Sequence, residues 1–200
     1  MWWDIFSHYF QITIKPEEEQ FVIFIDDTLQ NFTASKKILG LLVPSHTKTP
    51  DERPQLSFRA RKIWKKYKIN ETYDCISGIS ISGFYTLTKQ ILQHKNNILQ
   101  VIIDWDKTLS VHSSYKTETI NKYTTECYFG GYKRMNAIKY FFKKMKRNNI
   151  EVKILTNNGR AKRDATAFTK ALSYVNGKWI KVEHTEIPCK TNLINKMLRI

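Results

Sequence analysis

The sequence lacks several features that mark particular classes of protein. No apolar run approaches the roughly 20 residues that a membrane-spanning helix needs, so no membrane association is expected. The first residues, MWWDIFSHYF, have neither a basic start nor a small-residue cleavage site, which argues against a signal peptide. The three cysteines, Cys75, Cys127 and Cys189, are scattered and form no CxxC pair, which disfavours a disulfide framework and a zinc site. A reducing intracellular compartment, cytoplasm or nucleus, is the expected location.

The chain also lacks internal repeats and any proline- or glycine-rich linker, with 5 Pro and 7 Gly in 200 residues. We therefore expect one domain spanning residues 1–200, since this length suits a single ordinary core. Hydrophobic residues make up 42% of the chain, which is too apolar for a disordered protein.

Acidic residues are scarce relative to basic ones, 18 against 33, and the formal net charge is +15. The excess is concentrated in two stretches: residues 133–170 hold twelve Lys and Arg against two acids, and residues 59–68 hold six against none. Stretches of this kind attract polyanions such as nucleic acid. Solvated helix faces in a lysine-rich chain give the same pattern, so charge alone leaves both interpretations open.

Apolar runs bounded by turn residues alternate with stretches of helical periodicity, which is the pattern of an α/β fold. The richest runs are short continuous apolar blocks, as expected where helices cover both faces of a sheet. We expect a doubly wound, five-stranded, mainly parallel sheet in the order 2-1-3-4-5. The predicted strands are 21–25, 40–43, 98–103, 151–155 and 179–183; the predicted helices lie near 58–68, 84–95, 133–147, 160–175 and 191–199; a polar loop is predicted for 44–57 and a β-hairpin or flap for 110–132.

Polar residues follow the predicted strands at the point where each strand ends. The carboxyl ends of parallel strands meet at one edge of a sheet, and the expected order places strands 1 and 3 side by side. These side chains should therefore converge. They are Asp26 and Asp27 after the first strand, Asp104 and Asp106 after the third, Thr156 at the end of the fourth, and Lys190 beyond the fifth.

Four carboxylates in one cleft need a counter-charge. Two unit charges about 4 Å apart repel by roughly 4 kcal/mol at an effective dielectric constant of 20. A hard divalent cation with oxygen ligands relieves this repulsion, and Mg²⁺ is the usual choice where a phosphate completes its coordination shell. Thr156 and Lys190 then suit the remaining phosphate oxygens by hydrogen bond and charge. Each residue taken alone also fits ordinary turn or helix-cap chemistry. The hypothesis of a metal-dependent phosphate site therefore rests on the occurrence of all of them together.

Four segments resemble the motifs of the haloacid-dehalogenase (HAD) superfamily of phosphatases. ILQVIIDWDKTLS is similar to the hhhhDxDxT signature, and KILTNN to the second motif, a strand ending in Thr or Ser. Lys190 in PCKTNLI resembles the third-motif lysine, with Lys196 as an alternative, and FVIFIDDTLQN resembles the fourth motif, hhhhDDxxxN. The acidic fourth motif comes first in this chain, so the resemblance implies a circular permutation of the family's order.

The resemblance implies Mg²⁺-dependent hydrolysis of a phosphomonoester through an aspartyl-phosphate. Asp104 would be the nucleophile, and Asp106 would protonate the leaving oxygen and then activate water. Thr108, in the family's pattern, supports the turn after the strand. The implied Mg²⁺ ligands are Asp104, Asp26, Asp27 and the backbone carbonyl of Asp106.

Spacing limits what else the chain contains. Only 51 residues separate Asp104 from Thr156, and 33 lie between Thr156 and Lys190, so neither gap has room for a cap domain and an open cleft is expected. Capless members of the family often act on phosphorylated macromolecules. With basic helices 133–147 and 160–175 expected beside the cleft, a nucleic-acid end is the favoured substrate and a phosphoprotein is the next. No oligomeric state is predicted.

Two alternative functions fit parts of the pattern. A receiver domain of two-component signalling shares the sheet order, the acidic pair, the phosphorylated Asp, the Thr and the Lys. Receivers lack an Asp two residues after the phosphorylated one, however, and the 76 residues between Asp27 and Asp104 are too many for that family. The second alternative is a catalytically silent nucleic-acid-binding module on the same fold, although every catalytic residue type is present.

Overall fold

A parallel β-sheet forms the centre of the chain. The computed structural model describes residues 3–4, 20–32, 37–43, 54–66, 78–111, 120–186 and 190–197. Within these residues the sheet has six strands in the order β1-β3-β2-β4-β5-β6, and every neighbouring pair is parallel. The strands are β1 (Trp3–Asp4), β2 (Phe21–Asp26), β3 (Ile38–Leu42), β4 (Ile98–Ile103), β5 (Glu151–Thr156) and β6 (Lys181–His184).

The five predicted strands lie in the predicted order 2-1-3-4-5, and the α/β fold class is confirmed. The two-residue strand β1 was not predicted from the sequence. It pairs with β3 and is the outermost strand on that side of the sheet. β2 and β4 are neighbours, with Ile25 opposite Ile103. The backbone N–H of Asp104 continues the ladder by donating to the carbonyl of Ile25 at 2.8 Å. The ends of these two strands therefore lie side by side.

Alternate residues of the central strands face opposite sides of the sheet, as the two-residue repeat of a strand requires. Ile23 and Ile25 pack into a large core, whereas Val22 and Phe24 pack into a smaller core that includes Ile194. Helices contribute to both cores. They are α1 (Phe58–Lys66), α2 (Ile81–Gln93), α3 (Lys122–Tyr128), α4 (Tyr132–Arg147), α5 (Gly159–Arg163), α6 (Ala165–Ser173) and α7 (Lys190–Met197).

Two predicted elements differ from the structure. The helix predicted over 160–175 is divided into α5 and α6, because the side chain of Asp164 accepts from the N–H of Thr166 at 3.1 Å and starts a new helix. The hairpin or flap predicted over 110–132 is wrong for residues 122–128, which form α3. Asn121 and Thr124 make a reciprocal capping box there, a local signal that outweighs the irregular apolar pattern.

Some expectations fall on residues outside the described ranges. These are residues 44–53 of the polar loop, residues 112–119 of the flap, and two of the three cysteines, Cys75 and Cys189. Cys127 is a buried free thiol. In the part of the chain that the structure describes, no helix combines the length and apolar character needed to cross a membrane.

The buried guanidinium group of Arg134 joins α4 to two neighbouring loops. Its Nε donates to the carbonyl of Ile79 at 2.8 Å, just before α2. Its Nη1 donates to the carbonyls of Leu109 at 2.7 Å and Phe129 at 3.1 Å, and its Nη2 donates to that of Thr108 at 3.2 Å. The turn that follows β4 is therefore held against the helices by one side chain.

We expect Arg134→Met to lower the free energy of unfolding by about 3–5 kcal/mol, because several buried carbonyl groups lose a charged donor at once. Arg147→Met, at the exposed end of the same helix, should change it by less than about 0.5 kcal/mol. Urea denaturation of both variants measures the difference. Equal effects would show that the buried contacts of Arg134 do not stabilise the fold.

Candidate active site

The carboxylate of Asp26 is fully buried at the end of β2 and is held by the turn that follows it. The N–H of Thr28 donates to Asp26 Oδ1 at 2.8 Å. A short 3₁₀ turn (Leu29–Asn31) brings Asn31 back, so its Nδ2 lies 2.9 Å from both oxygens of Asp26. The next residue, Asp27, is half-buried and accepts from the hydroxyl of Thr28 at 3.2 Å.

Asp104 lies beside Asp26 because β4 ends next to β2. The chain then forms a tight turn (Trp105–Leu109), in which Lys107 has a φ of 57° and the N–H of Leu109 returns to the carbonyl of Asp104 at 3.2 Å. The buried ring of Trp105 anchors the turn, with its centroid 4.8 Å from that of Phe168. Thr108 is buried in the turn. Its hydroxyl has no hydrogen-bond partner among the described residues, and its backbone carbonyl accepts from Arg134.

Lys190 enters the same cluster from the opposite end of the chain. It is the first residue of α7 and is only 2% exposed. Its Nζ donates to Asp26 Oδ2 at 2.8 Å and also contacts Asp104 Oδ1. Lys196, the alternative lysine, is exposed on the last turn of α7. The structure therefore brings Lys190, rather than Lys196, to the carboxylates.

Asp106 faces the end of β5 rather than Lys190. Its Oδ2 is 3.5 Å from the hydroxyl of Thr156, which is the outer limit of a hydrogen bond. The side-chain amide of Asn158 donates to both oxygens of Asp106, at 3.2 and 3.1 Å. Asn158 also caps α5 by accepting from the N–H of Arg160 at 3.0 Å. The same amide side chain therefore starts the helix and holds the carboxylate.

Two residues of this site were not predicted to have a role. Asn31 is the last residue of the segment FVIFIDDTLQN, and no contact was predicted for its side chain. Asn158 was indistinguishable from an ordinary turn residue after a strand. The sequence did contain one indication of a role for both residues. Asn31 follows the strand-end carboxylate Asp26 by five residues, and Asn158 follows the strand-end Thr156 by two.

Burial is the main cause of the perturbed pKa values in the cluster. It raises the pKa of Asp104 well above its ordinary value, with Asp26 and Asp106 adding to the effect and Lys190 opposing it. Burial and then the charge of Asp26 raise the pKa of Asp27. Burial alone would lower the pKa of Lys190, but the carboxylates of Asp104 and Asp26 outweigh it and raise that pKa.

Asp106 has a pKa of about 6, raised mainly by burial and opposed mainly by the hydrogen bond from Asn158. A carboxyl group with this pKa exchanges protons close to neutral pH, which is the range that general acid–base catalysis requires. Asp104 and Asp106 are thus two residues apart in sequence but occupy different surroundings.

The acidic residues fit a divalent cation. One carboxylate oxygen from each of Asp26, Asp27 and Asp104 lies within 4.8 Å of the other two. The buried ammonium group of Lys190 contacts Asp26 and Asp104, and Asp27 and Asp106 lie nearby, so carboxylates outnumber buried ammonium groups in the described cluster. An all-oxygen donor set of this charge suits a hard cation such as Mg²⁺.

The basic helix α4 leads away from the carboxylates. It ends at Arg147, shortly before β5 begins at Glu151, and Glu151 pairs with Gln100 near the start of β4. The C-terminal half of α4 therefore lies toward the opposite edge of the sheet. Lys143 and Lys146 are exposed there and do not border the site.

Positive charge at the carboxylate edge comes instead from shorter elements. Lys107 is exposed in the turn after Asp104. α5 begins directly after Asn158 and carries Arg160 and the exposed Arg163. Lys107 follows the end of β4 by four residues, and Arg160 and Arg163 follow the end of β5 by four and seven residues.

No protein-family model, curated protein or solved structure matches the chain. The residues and their geometry are therefore the basis for assigning a function.

Loss of the Asp106 charge is expected to stabilise the metal-free protein at high pH. The pKa of Asp106 is about 6 in the folded protein against an ordinary value of 3.8, so protonation of Asp106 favours the folded state. Its contribution to the free energy of unfolding is complete below about pH 4 and is lost as the pH rises through 6. Above that range the buried charge costs up to about 3 kcal/mol, at about 1.4 kcal/mol per pKa unit.

In excess chelator, the Tm of Asp106→Asn should therefore exceed that of the unmodified protein at about pH 8, and the gain should vanish at about pH 4.5. Asp164→Asn is the matched control, because Asp164 is exposed and caps α6. It should give no gain at either pH. A gain for Asp106→Asn that is independent of pH would contradict the raised pKa.

Proposed function

We propose that the protein is a Mg²⁺-dependent phosphomonoester hydrolase, a capless and circularly permuted relative of the HAD phosphatases. The observation that carries the proposal is a pair of carboxylates two residues apart in different surroundings. Asp104 is buried against Lys190, whereas Asp106 faces Thr156 and Asn158 with a pKa of about 6. The first suits a nucleophile and the second a proton shuttle.

In the first step, a carboxylate oxygen of Asp104 attacks the phosphorus atom of the ester. The bond from phosphorus to the ester oxygen breaks, and Asp106 gives its proton to the departing oxygen. Asn158 orients Asp106 by donating to both of its oxygens. The product is an aspartyl-phosphate on Asp104 and a free alcohol.

In the second step, water attacks the same phosphorus atom. Asp106, now ionised, takes a proton from the water as the new bond forms. The bond from phosphorus to Asp104 breaks, so inorganic phosphate leaves and Asp104 returns as a carboxylate. Asp106 is protonated again, and both residues are ready for another substrate.

Lys190 and Thr156 would hold the phosphate oxygens through an ammonium group and a hydroxyl group. Asp104, Asp26, Asp27 and the backbone carbonyl of Asp106 would hold Mg²⁺. When bound, the cation supplies positive charge that offsets the repulsion between the carboxylates and the phosphate. Asn31 keeps Asp26 in place through its two hydrogen bonds.

The elements described between the site residues support an open cleft and, with it, a macromolecular substrate. Among the described residues, α3 and α4 fill the stretch between Asp104 and Thr156, and α5, α6 and β6 fill the stretch before Lys190. We propose that no cap domain covers the cleft and that the substrate is a phosphorylated macromolecule, either a nucleic-acid end or a phosphoprotein. A receiver-like phosphoacceptor and a silent binding module are the alternatives that the experiments below separate.

Turnover of a generic phosphate monoester should require Mg²⁺ and stop in excess chelator, because the acidic cluster needs a cation before it accepts a phosphate. Asp104→Asn should abolish turnover and acid-stable phosphate labelling of the protein. Asp164→Asn, which alters an exposed carboxylate outside the cluster, should retain turnover. Full activity in chelator, or labelling that survives in Asp104→Asn, would exclude this mechanism.

Asp106→Asn separates an enzyme from a receiver-like domain. General acid–base catalysis is worth about 10²–10⁴-fold, so kcat should fall by that factor. Mg²⁺ affinity, measured by calorimetry, should stay nearly unchanged because only the backbone carbonyl of Asp106 is expected to contact the cation. A variant that turns over like the unmodified protein would remove Asp106 from the mechanism.

A further inference from the structure

Packing contacts connect helix α1 to the chain segment that follows the turn after Asp104. Ala60 and Trp64 of α1 pack with Val111 and Cys127, and the thiol of Cys127 lies 3.3 Å from the carbonyl of Ala60. Val111 is two residues beyond Leu109, whose N–H bonds to the carbonyl of Asp104. Because each residue spans at most about 3.6 Å, α1 lies within roughly 20 Å of Asp104.

The start of α1 is fixed in position by a buried carboxylate. Glu126 of α3 is 3% exposed and accepts from the backbone N–H of Ser57, and from its hydroxyl at 2.8 Å. Gln55 forms a parallel bridge with Gly131 and accepts from the N–H of Tyr132 at 3.0 Å. α1 is therefore held in a defined orientation against α3.

The outer face of α1 is strongly basic. Arg59, Arg61, Lys62 and Lys65 are all exposed, and residues 54–66 contain no acidic residue. Lys122 of α3 is exposed as well, while Glu126, the acidic residue of α3, is buried against Ser57. Neither of these two helices has an exposed carboxylate.

Aromatic rings lie among these cations. The ring of Phe58 is 70% exposed, with the Nζ of Lys62 4.7 Å from its centroid. The guanidinium group of Arg59 lies 5.4 Å from the ring centroid of Tyr123 and donates to its hydroxyl at 3.0 Å. Single-stranded nucleic acids bind to this combination, since cations contact the phosphates and flat rings stack on the bases.

We propose that this face of α1 and α3, formed by Phe58, Arg59, Lys62, Lys65 and Tyr123, binds single-stranded nucleic acid whose phosphorylated end reaches Asp104. The substrate assignment rests on the proposed function, whereas binding to the face does not. A phosphopeptide would use the cations but would leave the exposed ring of Phe58 without a role. This surface, called the α1 face, is distinct from the C-terminal half of α4, where Lys143 and Lys146 lie toward the opposite edge of the sheet.

Binding is measured with a fluorescent, end-phosphorylated single-stranded oligonucleotide on the Asp104→Asn protein, which prevents turnover. Phe58→Ala should weaken binding about tenfold, the loss of one stacked base. Lys62→Glu with Lys65→Glu should weaken it further and reduce the slope of log affinity against log salt by about 0.7 for each lost phosphate contact. Lys143→Glu with Lys146→Glu makes the same charge change at the opposite edge and should have little effect on affinity.

Equal losses from the two charge-reversal pairs would overturn the proposal, because net charge rather than the α1 face would then explain binding. Binding of an acidic phosphopeptide that depends on Phe58, with no such dependence for the oligonucleotide, would also overturn it. Circular dichroism melts of each variant establish that the compared proteins are folded.

Turnover distinguishes this proposal from the proposed function. In the protein with Asp104 intact, the α1-face variants should lower kcat/KM for the oligonucleotide about tenfold more than for a small phosphate ester. If no ester is hydrolysed in the presence of Mg²⁺, the proposed hydrolase activity is contradicted, whereas the proposal that the α1 face binds nucleic acid is not. Equal decreases in kcat/KM for both substrates would contradict the proposal that nucleic acid bound to the α1 face extends to Asp104.

Discussion

The contact of Lys190 with Asp26 and Asp104 is the interaction on which the rest of the site depends. It ties the start of α7 to the ends of β2 and β4, and the hydroxyl of Thr191 adds a 2.7 Å hydrogen bond to the carbonyl of Asn31. Buried ion pairs of this kind add little net stability, since desolvation offsets their attraction, yet removal of one partner costs about 3–5 kcal/mol. The contact therefore specifies geometry more than it stabilises the fold.

The same contact explains how distant parts of the chain form one cluster. Lys190 and Asp26 are 164 residues apart in sequence. Asp26 ends β2 and Asp104 follows β4, and in the described part of the chain β3, α1 and α2 lie between these two strands. In a parallel sheet, position in the sheet decides which carboxyl ends meet, whatever the order of the strands along the chain. An acidic segment can thus stand first in the chain and still contribute to a site completed by the last described helix.

The sheet and the meeting of the carboxylates could be predicted from the sequence because both follow from local patterns. Continuous apolar runs mark buried strands, and a polar residue directly after such a run must lie at the sheet edge. The hydrogen bonds of Asn31 and Asn158 could not be predicted, because an amide near a strand end is equally common in plain turns. The position of α1 could not be predicted from the sequence either, because it depends on the long-range contact of Glu126 with Ser57.

The two carboxylates that follow β4 are the same residue type and differ in their surroundings, and the proposed mechanism gives them different roles for that reason. Burial raises the pKa of Asp104, and the ammonium of Lys190, which Asp104 shares with Asp26, opposes that rise. Asp106 has neutral partners, Thr156 and Asn158, which accommodate both its ionised and its protonated form. Because the backbone turn holds the two side chains in different directions, the proposed mechanism can use Asp104 for attack, provided that Lys190 and a bound cation favour its ionised form, and Asp106 for proton transfer.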